Sequence, residues 1–197
     1  DGNCRACMVE IEGERVLAAS CIRSPSEGMV VNSSSNRART ARKMVFEMLT
    51  ADQPARETSH DPDSKFWNWA SDTGVTNSRL PQRLSPELDQ SHTAMRVNLD
   101  ACIHCNLCVR ACREVQVNDV IGMAYRGHDA KIVFDFDDPM GDSTCVACGE
   151  CVQACPTGAL MEASLLDENQ TRVNYPDEQV ASVCPYCGVG CQITYNL

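Results

Sequence analysis

Two short runs of cysteines constrain this chain of 197 residues more than any other feature. Each run holds four cysteines separated by two, two and three residues: Cys102, Cys105, Cys108 and Cys112, then Cys145, Cys148, Cys151 and Cys155. Gaps of two residues let a tight loop direct three thiolates to one side, whereas the fourth cysteine lies further along a short helix and faces away. Each run is therefore expected to give three ligands to one site and the fourth to a neighbouring site.

This spacing is the bacterial ferredoxin signature of two 4Fe–4S clusters. It predicts one cluster on Cys102, Cys105, Cys108 and Cys155, and a second on Cys145, Cys148, Cys151 and Cys112. Pro156 follows the second run as the pattern requires, but Arg113 stands at the corresponding place in the first. Zinc sites and disulfides fit less well, because structural zinc uses two separated pairs of cysteines and thiols two residues apart are too crowded to cross-link.

Composition favours several small domains rather than one large core. The chain has 14 cysteines and a net charge of -10, and only 5% of its residues are aromatic. Clusters are expected to replace much of the missing core. The acidic balance argues against nucleic acid and anionic membranes as partners, and no apolar run approaches the ~18 residues of a membrane span. Thiolate sites suit a reducing interior, so the expected location is cytoplasmic.

The first residues predict a β-hairpin flanked by three more cysteines. Residues Met8 to Glu12 alternate apolar and polar, Gly13 breaks the pattern, and Arg15 to Ala19 resume it. Cys4 and Cys7 precede the hairpin and Cys21 follows it. Three thiolates do not complete a four-ligand cluster, so a fourth is expected upstream of Asp1; a free or zinc-bound trio is the alternative.

This stretch, Gly2-Asn-Cys4-Arg-Ala-Cys7-Met-Val-Glu-Ile-Glu-Gly13 with Ala19-Ser-Cys21, resembles a known domain. It is similar to the 2Fe–2S domain at the start of the large complex I iron–sulfur subunit, which also occurs in soluble hydrogenases and NAD-linked formate dehydrogenases. The resemblance implies a partial β-grasp-like domain holding a 2Fe–2S cluster on Cys4, Cys7 and Cys21.

The middle of the chain predicts a helix and an irregular connector. Residues 32–50 carry an apolar face on Ala38, Ala41, Val45 and Met48 or Leu49, and a basic face that docks a partner or is simply solvated. Residues 52–95 contain four prolines and predict short helices, one over Ser64 to Ala70, with Trp67 and Trp69 as packing anchors.

Two histidines in the connector bear on a further cluster. Complex I relatives bind one with a histidine and three cysteines in this region, but no cysteine lies between Cys21 and Cys102. That cluster is therefore not expected. His60 and His92 are each predicted to be surface residues or satisfied polar groups.

Between the two runs, the sequence predicts an inserted hairpin. Its strands are expected over Val120 to Tyr125 and Lys131 to Phe134, and a short strand over Arg96 to Leu99 leads into the first run. Asp135, Asp137 and Asp138 are expected to form a solvated loop, because they lack the alternation of a calcium site.

The last segment carries a third cysteine motif, Cys184-Pro-Tyr-Cys187-Gly-Val-Gly-Cys191. It resembles the opening of molybdopterin-dependent oxidoreductases, and formate dehydrogenases in particular. The resemblance implies a 4Fe–4S cluster completed by a cysteine beyond Leu197. Incomplete cysteine sets at both ends favour a section of a longer catalytic subunit.

The order of motifs resembles the N-terminal part of the alpha subunit of an NAD-dependent molybdenum or tungsten formate dehydrogenase. The resemblance implies formate oxidation to carbon dioxide at a bis-pterin metal centre downstream, and a beta subunit carrying FMN, NAD and iron–sulfur clusters. No catalytic residue is expected within this chain. Another molybdopterin oxidoreductase, a hydrogenase or diaphorase subunit, and a stand-alone polyferredoxin are the alternatives.

The expected fold is α+β, with small iron–sulfur domains in series. The predicted divisions are a partial 2Fe–2S domain at 1–31, a helix and connector at 32–95, a ferredoxin-like 2[4Fe–4S] domain at 96–165, and a linker with the start of a β-rich 4Fe–4S domain at 166–197.

Overall fold

The computed structural model describes residues 1–82 and 86–197, so the part of the predicted connector at 83–85 lies outside the described residues. It contains nine short strands and four α-helices in these ranges. The strands are β1 Met8–Ile11, β2 Ala18–Ala19, β3 Val31–Asn32, β4 Met95–Val97, β5 Ile121–Ala124, β6 Lys131–Phe134, β7 Leu160–Glu162, β8 Gln179–Val183 and β9 Gln192–Asn196. The helices are α1 Asn36–Ala51, α2 Lys65–Asp72, α3 Leu107–Arg110 and α4 Glu150–Ala154.

The N-terminal strands form a three-stranded antiparallel sheet in the order β2-β1-β3. Val9 and Ile11 on alternate positions of β1 are buried, as the period of two predicts. Gly13 turns the chain with φ +81°, which explains why the alternation stops there. The hairpin prediction is confirmed, although β2 covers only two of the residues expected and β3 was not predicted.

Helix α1 begins at Asn36 because the Ser35 hydroxyl accepts a hydrogen bond from Ala38 N at 3.1 Å. Its buried residues are Ala38, Phe46 and Thr50, whereas Met48 is exposed. The helix was predicted correctly, but the centre of its buried face is Phe46, which the sequence pattern did not single out. The helix begins four residues after the predicted start because three serines precede it and only the last one caps it.

The connector forms an aromatic core between the two halves of the chain. Phe66 and Trp67 on α2 are 0% and 3% exposed and pack edge-on with ring centroids 5.3 Å apart. Phe46 of α1 joins them, and Cys4 and Cys105 pack against the same core. Helix α2 confirms the helix expected at Ser64 to Ala70. Trp67 is the packing anchor that was expected, whereas Trp69 is 43% exposed.

The ferredoxin region is closed by the pairing of its first and last strands. β4 and β7 are antiparallel, with Val97 opposite Leu160. Cys102 lies five residues after Val97 and Cys155 lies five residues before Leu160. The pairing therefore brings the beginning of the first cysteine run beside the end of the second.

The connector reinforces this closure with two hydrogen bonds. The Gln53 side chain donates to the Ala101 carbonyl at 2.9 Å, next to Cys102. The backbone N–H of Phe66 donates to the Pro156 carbonyl at 3.0 Å, next to Cys155. The segment predicted as an irregular connector thus binds to both of the segments that β4 and β7 bring together, the one before Cys102 and the one after Cys155.

The insertion between the runs forms the predicted hairpin, with Ile121 of β5 opposite Phe134 of β6. Before it, α3 continues as a π-helical turn over Ala111–Val115. Arg113 lies within this turn, where a proline would lack the backbone N–H that helical turns use. The missing proline of the first run is therefore explained by continued helix. Asp135 accepts from Thr144 N, and Asp137 pairs with Lys131, so two members of the expected solvated loop have fixed partners.

The C-terminal strands β8 and β9 form an antiparallel pair whose residues are almost all exposed. Both strands lie in the stretch at 166–197 that was predicted to hold a linker and the start of a β-rich domain. Across residues 1–82 and 86–197, no helix has the length and apolarity needed to span a bilayer. The fold is α+β and built from small units, as expected.

Gly158 offers a test of the close packing behind the second run. Its φ is +79°, and an added Cβ would lie 2.9 Å from the Asp61 side chain. Gly158→Ala is expected to lower the free energy of unfolding of the protein by about 2 to 4 kcal/mol, from overpacking and left-handed strain. Denaturant unfolding monitored by circular dichroism provides the measurement.

The matched control is Gly127→Ala. Gly127 also has positive φ, at +61°, but no atom lies within 4 Å of its added Cβ. Gly127→Ala should therefore lower the free energy of unfolding only by the cost of a left-handed backbone conformation, about 1 kcal/mol. Equal losses in the two variants would contradict the packing argument.

Candidate metal centres

The structure brings together the first predicted ligand set. One cavity is lined by all four of its cysteines, Cys102, Cys105, Cys108 and Cys155. Three of them come from the loop that ends in α3, and the fourth follows α4. The remaining lining is mostly apolar, with Ile103, Ile132 and Leu160 among its side chains. The crossover of Cys155 into the first run follows from the β4–β7 pairing.

A second cavity gathers the other predicted set, Cys112, Cys145, Cys148 and Cys151. The β5–β6 hairpin returns the chain, so that Cys112 at the end of the first run faces the second run. Cys151 and Cys112 are buried, whereas Cys148 is exposed. Each run gives three cysteines to one cavity and its fourth cysteine to the other cavity, which is the arrangement that the spacing predicted.

Buried thiols in both sets hold their protons strongly. Burial, followed by the charges of Cys155 and Cys102, raises the pKa of Cys105 to about 12. Burial, followed by Cys145 and Cys148, raises the pKa of Cys151 to about 12. Thiolates that are crowded in an apolar space repel one another. The cysteines of these sites are therefore expected to lose their protons only when a cationic metal centre binds them.

Neighbouring donors point at several of the sulfur atoms. The backbone N–H of His104 lies 3.5 Å from Cys102 Sγ, and that of Ala147 lies 3.4 Å from Cys145 Sγ. The Thr157 hydroxyl lies 3.5 Å from Cys155 Sγ. His104 thus contributes its backbone N–H beside the site. Hydrogen bonds of this type stabilise negative charge on sulfur and tune cluster potentials.

The N-terminal trio faces a third cavity. Cys4, Cys7 and Cys21 line it together with Cys105 of the first ferredoxin set. Burial raises the pKa of the Cys7 thiol, but hydrogen bonds from the Cys21 backbone and the Ser20 side chain outweigh it, so the pKa lies below its usual value. The N-terminal and ferredoxin cysteines therefore border one space, with the aromatic core beside it.

The C-terminal trio lies on the exposed β8–β9 hairpin. The backbone N–H of Cys184 donates to the Cys191 carbonyl at 2.8 Å, which closes the loop between the strands. Cys187 and Cys191 are exposed and Cys184 is half-buried. None of the three lines either of the two ferredoxin cavities.

The two connector histidines behave differently. His92 is half-buried, and its Nδ1 accepts a hydrogen bond from Ala94 N at 3.1 Å, so it is a satisfied polar group as expected. His60 is only 9% exposed, and its Nδ1 has no hydrogen-bond partner among the described residues. Burial lowers the pKa of His60 and keeps the ring neutral. The expectation of a surface residue is wrong for His60, and that of a satisfied polar group holds only in part, because the ring hydrogen-bonds to the Gln170 backbone while Nδ1 is unpaired in the described part of the chain.

The donor sets in the two ferredoxin cavities fit 4Fe–4S clusters. Each cavity presents four thiols and little else that ionises, and thiolates are the ligands of iron–sulfur clusters. The N-terminal trio fits part of a 2Fe–2S site by the same chemistry. Sequence reasoning found all of these cysteines but missed Thr157 and the Gln53 hydrogen bond, for which the sequence holds no periodic signal.

Comparison with protein families supports both kinds of site. Residues 101–159 match a 4Fe-4S dicluster domain, and residues 1–36 match a 2Fe-2S iron-sulfur cluster binding domain. The chain carries two kinds of iron–sulfur domain. Their order along the chain is the one the cysteine motifs predicted.

Several curated proteins are similar to this chain. The NADP-reducing hydrogenase subunit HndD of Solidesulfovibrio fructosivorans is 33% identical over 182 residues, covering 90% of this chain and 31% of that protein. An NADH-quinone oxidoreductase subunit of Rhizobium meliloti is 30% identical, over 98% of this chain and 22% of its own length. "Putative formate dehydrogenase SH0748" of Staphylococcus haemolyticus is 25% identical, over 95% of this chain and 23% of its own length. The chain thus spans less than a third of each of these relatives.

A solved structure shares the fold. A chain of the NAD+-reducing [NiFe]-hydrogenase in the H2-reduced state matches with a TM-score of 0.71 and 28% identity, over 83% of this chain and 70% of that one. Together with the domain matches, this relates the chain to electron-transfer iron–sulfur subunits of oxidoreductases.

Crossed cysteine variants test the ligand sets. Cys105→Ala and Cys155→Ala are expected to remove the same 4Fe–4S signal, although they lie in different runs. Cys148→Ala and Cys112→Ala are expected to remove the other signal. Electron paramagnetic resonance of the reduced protein, with iron and sulfide analysis, makes the assignment. Loss of the Cys148 signal in Cys155→Ala would show that the fourth ligands are not exchanged.

Proposed function

We propose that this chain is the electron-relay section of a formate dehydrogenase catalytic subunit. In the full subunit, formate is oxidised to carbon dioxide at a molybdenum or tungsten bis-pterin centre, and electrons pass towards NAD+ on a beta subunit with FMN and further clusters. The observation that carries the relay is the pair of four-thiol cavities with exchanged fourth cysteines. When bound, iron–sulfur clusters supply one-electron carriers at these positions.

The cysteine sets adjoin one another in an order suited to a relay. Cys4 and Cys105 pack against the same aromatic core, so the N-terminal trio borders the Cys102 set. Cys108, Cys112 and Cys151 are buried in one core, and Cys102, Cys145 and Cys155 pack against it, so the two ferredoxin sets are also neighbours.

The protein's own contribution is to hold and insulate these positions. The β4–β7 pairing and the Gln53 and Phe66 hydrogen bonds fix the spacing of the thiols. Phe46 of the aromatic core borders the cavity that lies between the first two positions. Backbone N–H groups beside the sulfurs offset the negative charge that each reduction adds. We retain the division at 1–31, 32–95, 96–165 and 166–197 as part of this proposal.

The assignment to formate chemistry is supported by the Cys184-Pro-Tyr-Cys187-Gly-Val-Gly-Cys191 motif. On this exposed hairpin Cys187 and Cys191 are exposed and Cys184 is half-buried, and none of the three lines a ferredoxin cavity. This is consistent with a cluster that a downstream cysteine completes. Similarity to a protein named as a formate dehydrogenase points the same way.

A hydrogenase or NADH-dehydrogenase relay is the second candidate. The 33% identity to HndD and the fold shared with the NAD+-reducing [NiFe]-hydrogenase favour it. The two candidates differ in the donor: formate in the first, hydrogen or NADH in the second. Assays of the full-length purified subunit with its partners, and its molybdenum and tungsten content, separate them.

Cys148→Ala in the full-length enzyme is expected to interrupt the relay without stopping formate oxidation itself. Formate-dependent NAD+ reduction should fall to background, because the Cys112, Cys145, Cys148 and Cys151 position can no longer be loaded. Formate-dependent reduction of a viologen dye should persist, because small dyes accept electrons near the metal centre. Phe136→Ala, at an exposed residue that lines neither ferredoxin cavity, serves as the control. Unchanged NAD+ reduction in Cys148→Ala would refute the relay.

A further inference from the structure

A strained loop follows the π-helical turn of the first cysteine run. Val117 has φ 57° and Asp119 has φ 53°, so both neighbours of Asn118 lie in the left-handed region. A β-branched residue rarely adopts this conformation, and such strain persists only where surrounding contacts impose it. The loop therefore has a fixed shape that its own sequence does not favour.

Three contacts impose that shape around Cys112. The backbone N–H of Asn118 donates to the Cys112 carbonyl at 2.9 Å, and that of Val120 lies 3.4 Å from Cys112 Sγ. Arg113 pairs with Asp119 at 2.6 Å between Nε and Oδ1. The loop is thus tied to the cysteine that the first run contributes to the second set.

The result is that the Asn118 side chain reaches the second run. Its Nδ2 donates to Cys148 Sγ at 3.9 Å, across 30 residues of sequence. Asn118 also lines the cavity of the Cys112, Cys145, Cys148 and Cys151 set, where every other lining side chain is a thiol or apolar, or is absent at Gly149. A polar side chain held by strained backbone against a ligand sulfur is a costly arrangement to keep without a use.

We propose that Asn118 is a positioning residue that raises the reduction potential of the cluster on this set. An N–H donor to a ligand sulfur stabilises the electron-rich reduced state more than the oxidised state. The amide therefore makes this position easier to reduce. The inference rests on the proposed function, because it takes this cysteine set to hold a 4Fe–4S cluster.

The test is a redox titration of the full-length subunit followed by electron paramagnetic resonance. Asn118→Ala is expected to make reduction of one 4Fe–4S cluster less favourable by up to about tenfold, which is ~59 mV for one electron. Asn118→Asp has the same shape but puts a carboxylate beside the sulfur, so it is expected to lower the potential further. The shifted signal must be the one that Cys148→Ala removes, with iron content unchanged.

Asn106→Ala is the matched control. Asn106 is the amide that lines the other ferredoxin cavity, so its removal should leave the Cys148 signal at its original potential. An unshifted Cys148 signal in Asn118→Ala, or loss of that cluster in both Asn118 variants, would overturn the inference. Absence of two 4Fe–4S signals from the unsubstituted subunit would instead overturn the proposed function, so the two failures are distinguishable.

Discussion

The antiparallel pairing of β4 with β7 is the constraint on which the rest of the structure depends. It is only three residues long on each strand, yet it places the start of one cysteine run beside the end of the other. So short a ladder contributes little stability alone. The connector strengthens it from outside, through the hydrogen bonds of Gln53 and Phe66 on either side of the junction.

The connector is also what makes the N-terminal and ferredoxin halves one body. Phe46, Phe66 and Trp67 form a core that touches cysteines from both halves. An acidic chain with few aromatic residues thus concentrates several of them at one junction. The cavity that Cys4 and Cys105 share, between two candidate redox sites, is bordered by Phe46 of this packed core.

The sequence predicted the cysteine sets and most short elements because their signals are local. Gaps of two and three residues, the Ser35 cap and the β5–β6 alternation each depend on neighbours along the chain. The pairing of β3, the central role of Phe46 and the burial of His60 depend on contacts between distant segments, and no periodicity marks them. The π-helical turn at Arg113 was visible only as a missing proline.

The exchange of one cysteine between the runs has a consequence for biogenesis. Under the proposed ligand sets, the first run cannot complete its own site until Cys155 has been translated, and the other site needs Cys145 to Cys151. In a nascent chain, the four thiols of the first run would therefore have no complete cluster site until the second run has left the ribosome. Both clusters would then be inserted close together in time. Cluster insertion would follow synthesis of nearly the whole ferredoxin region, and would not proceed one cluster at a time during translation.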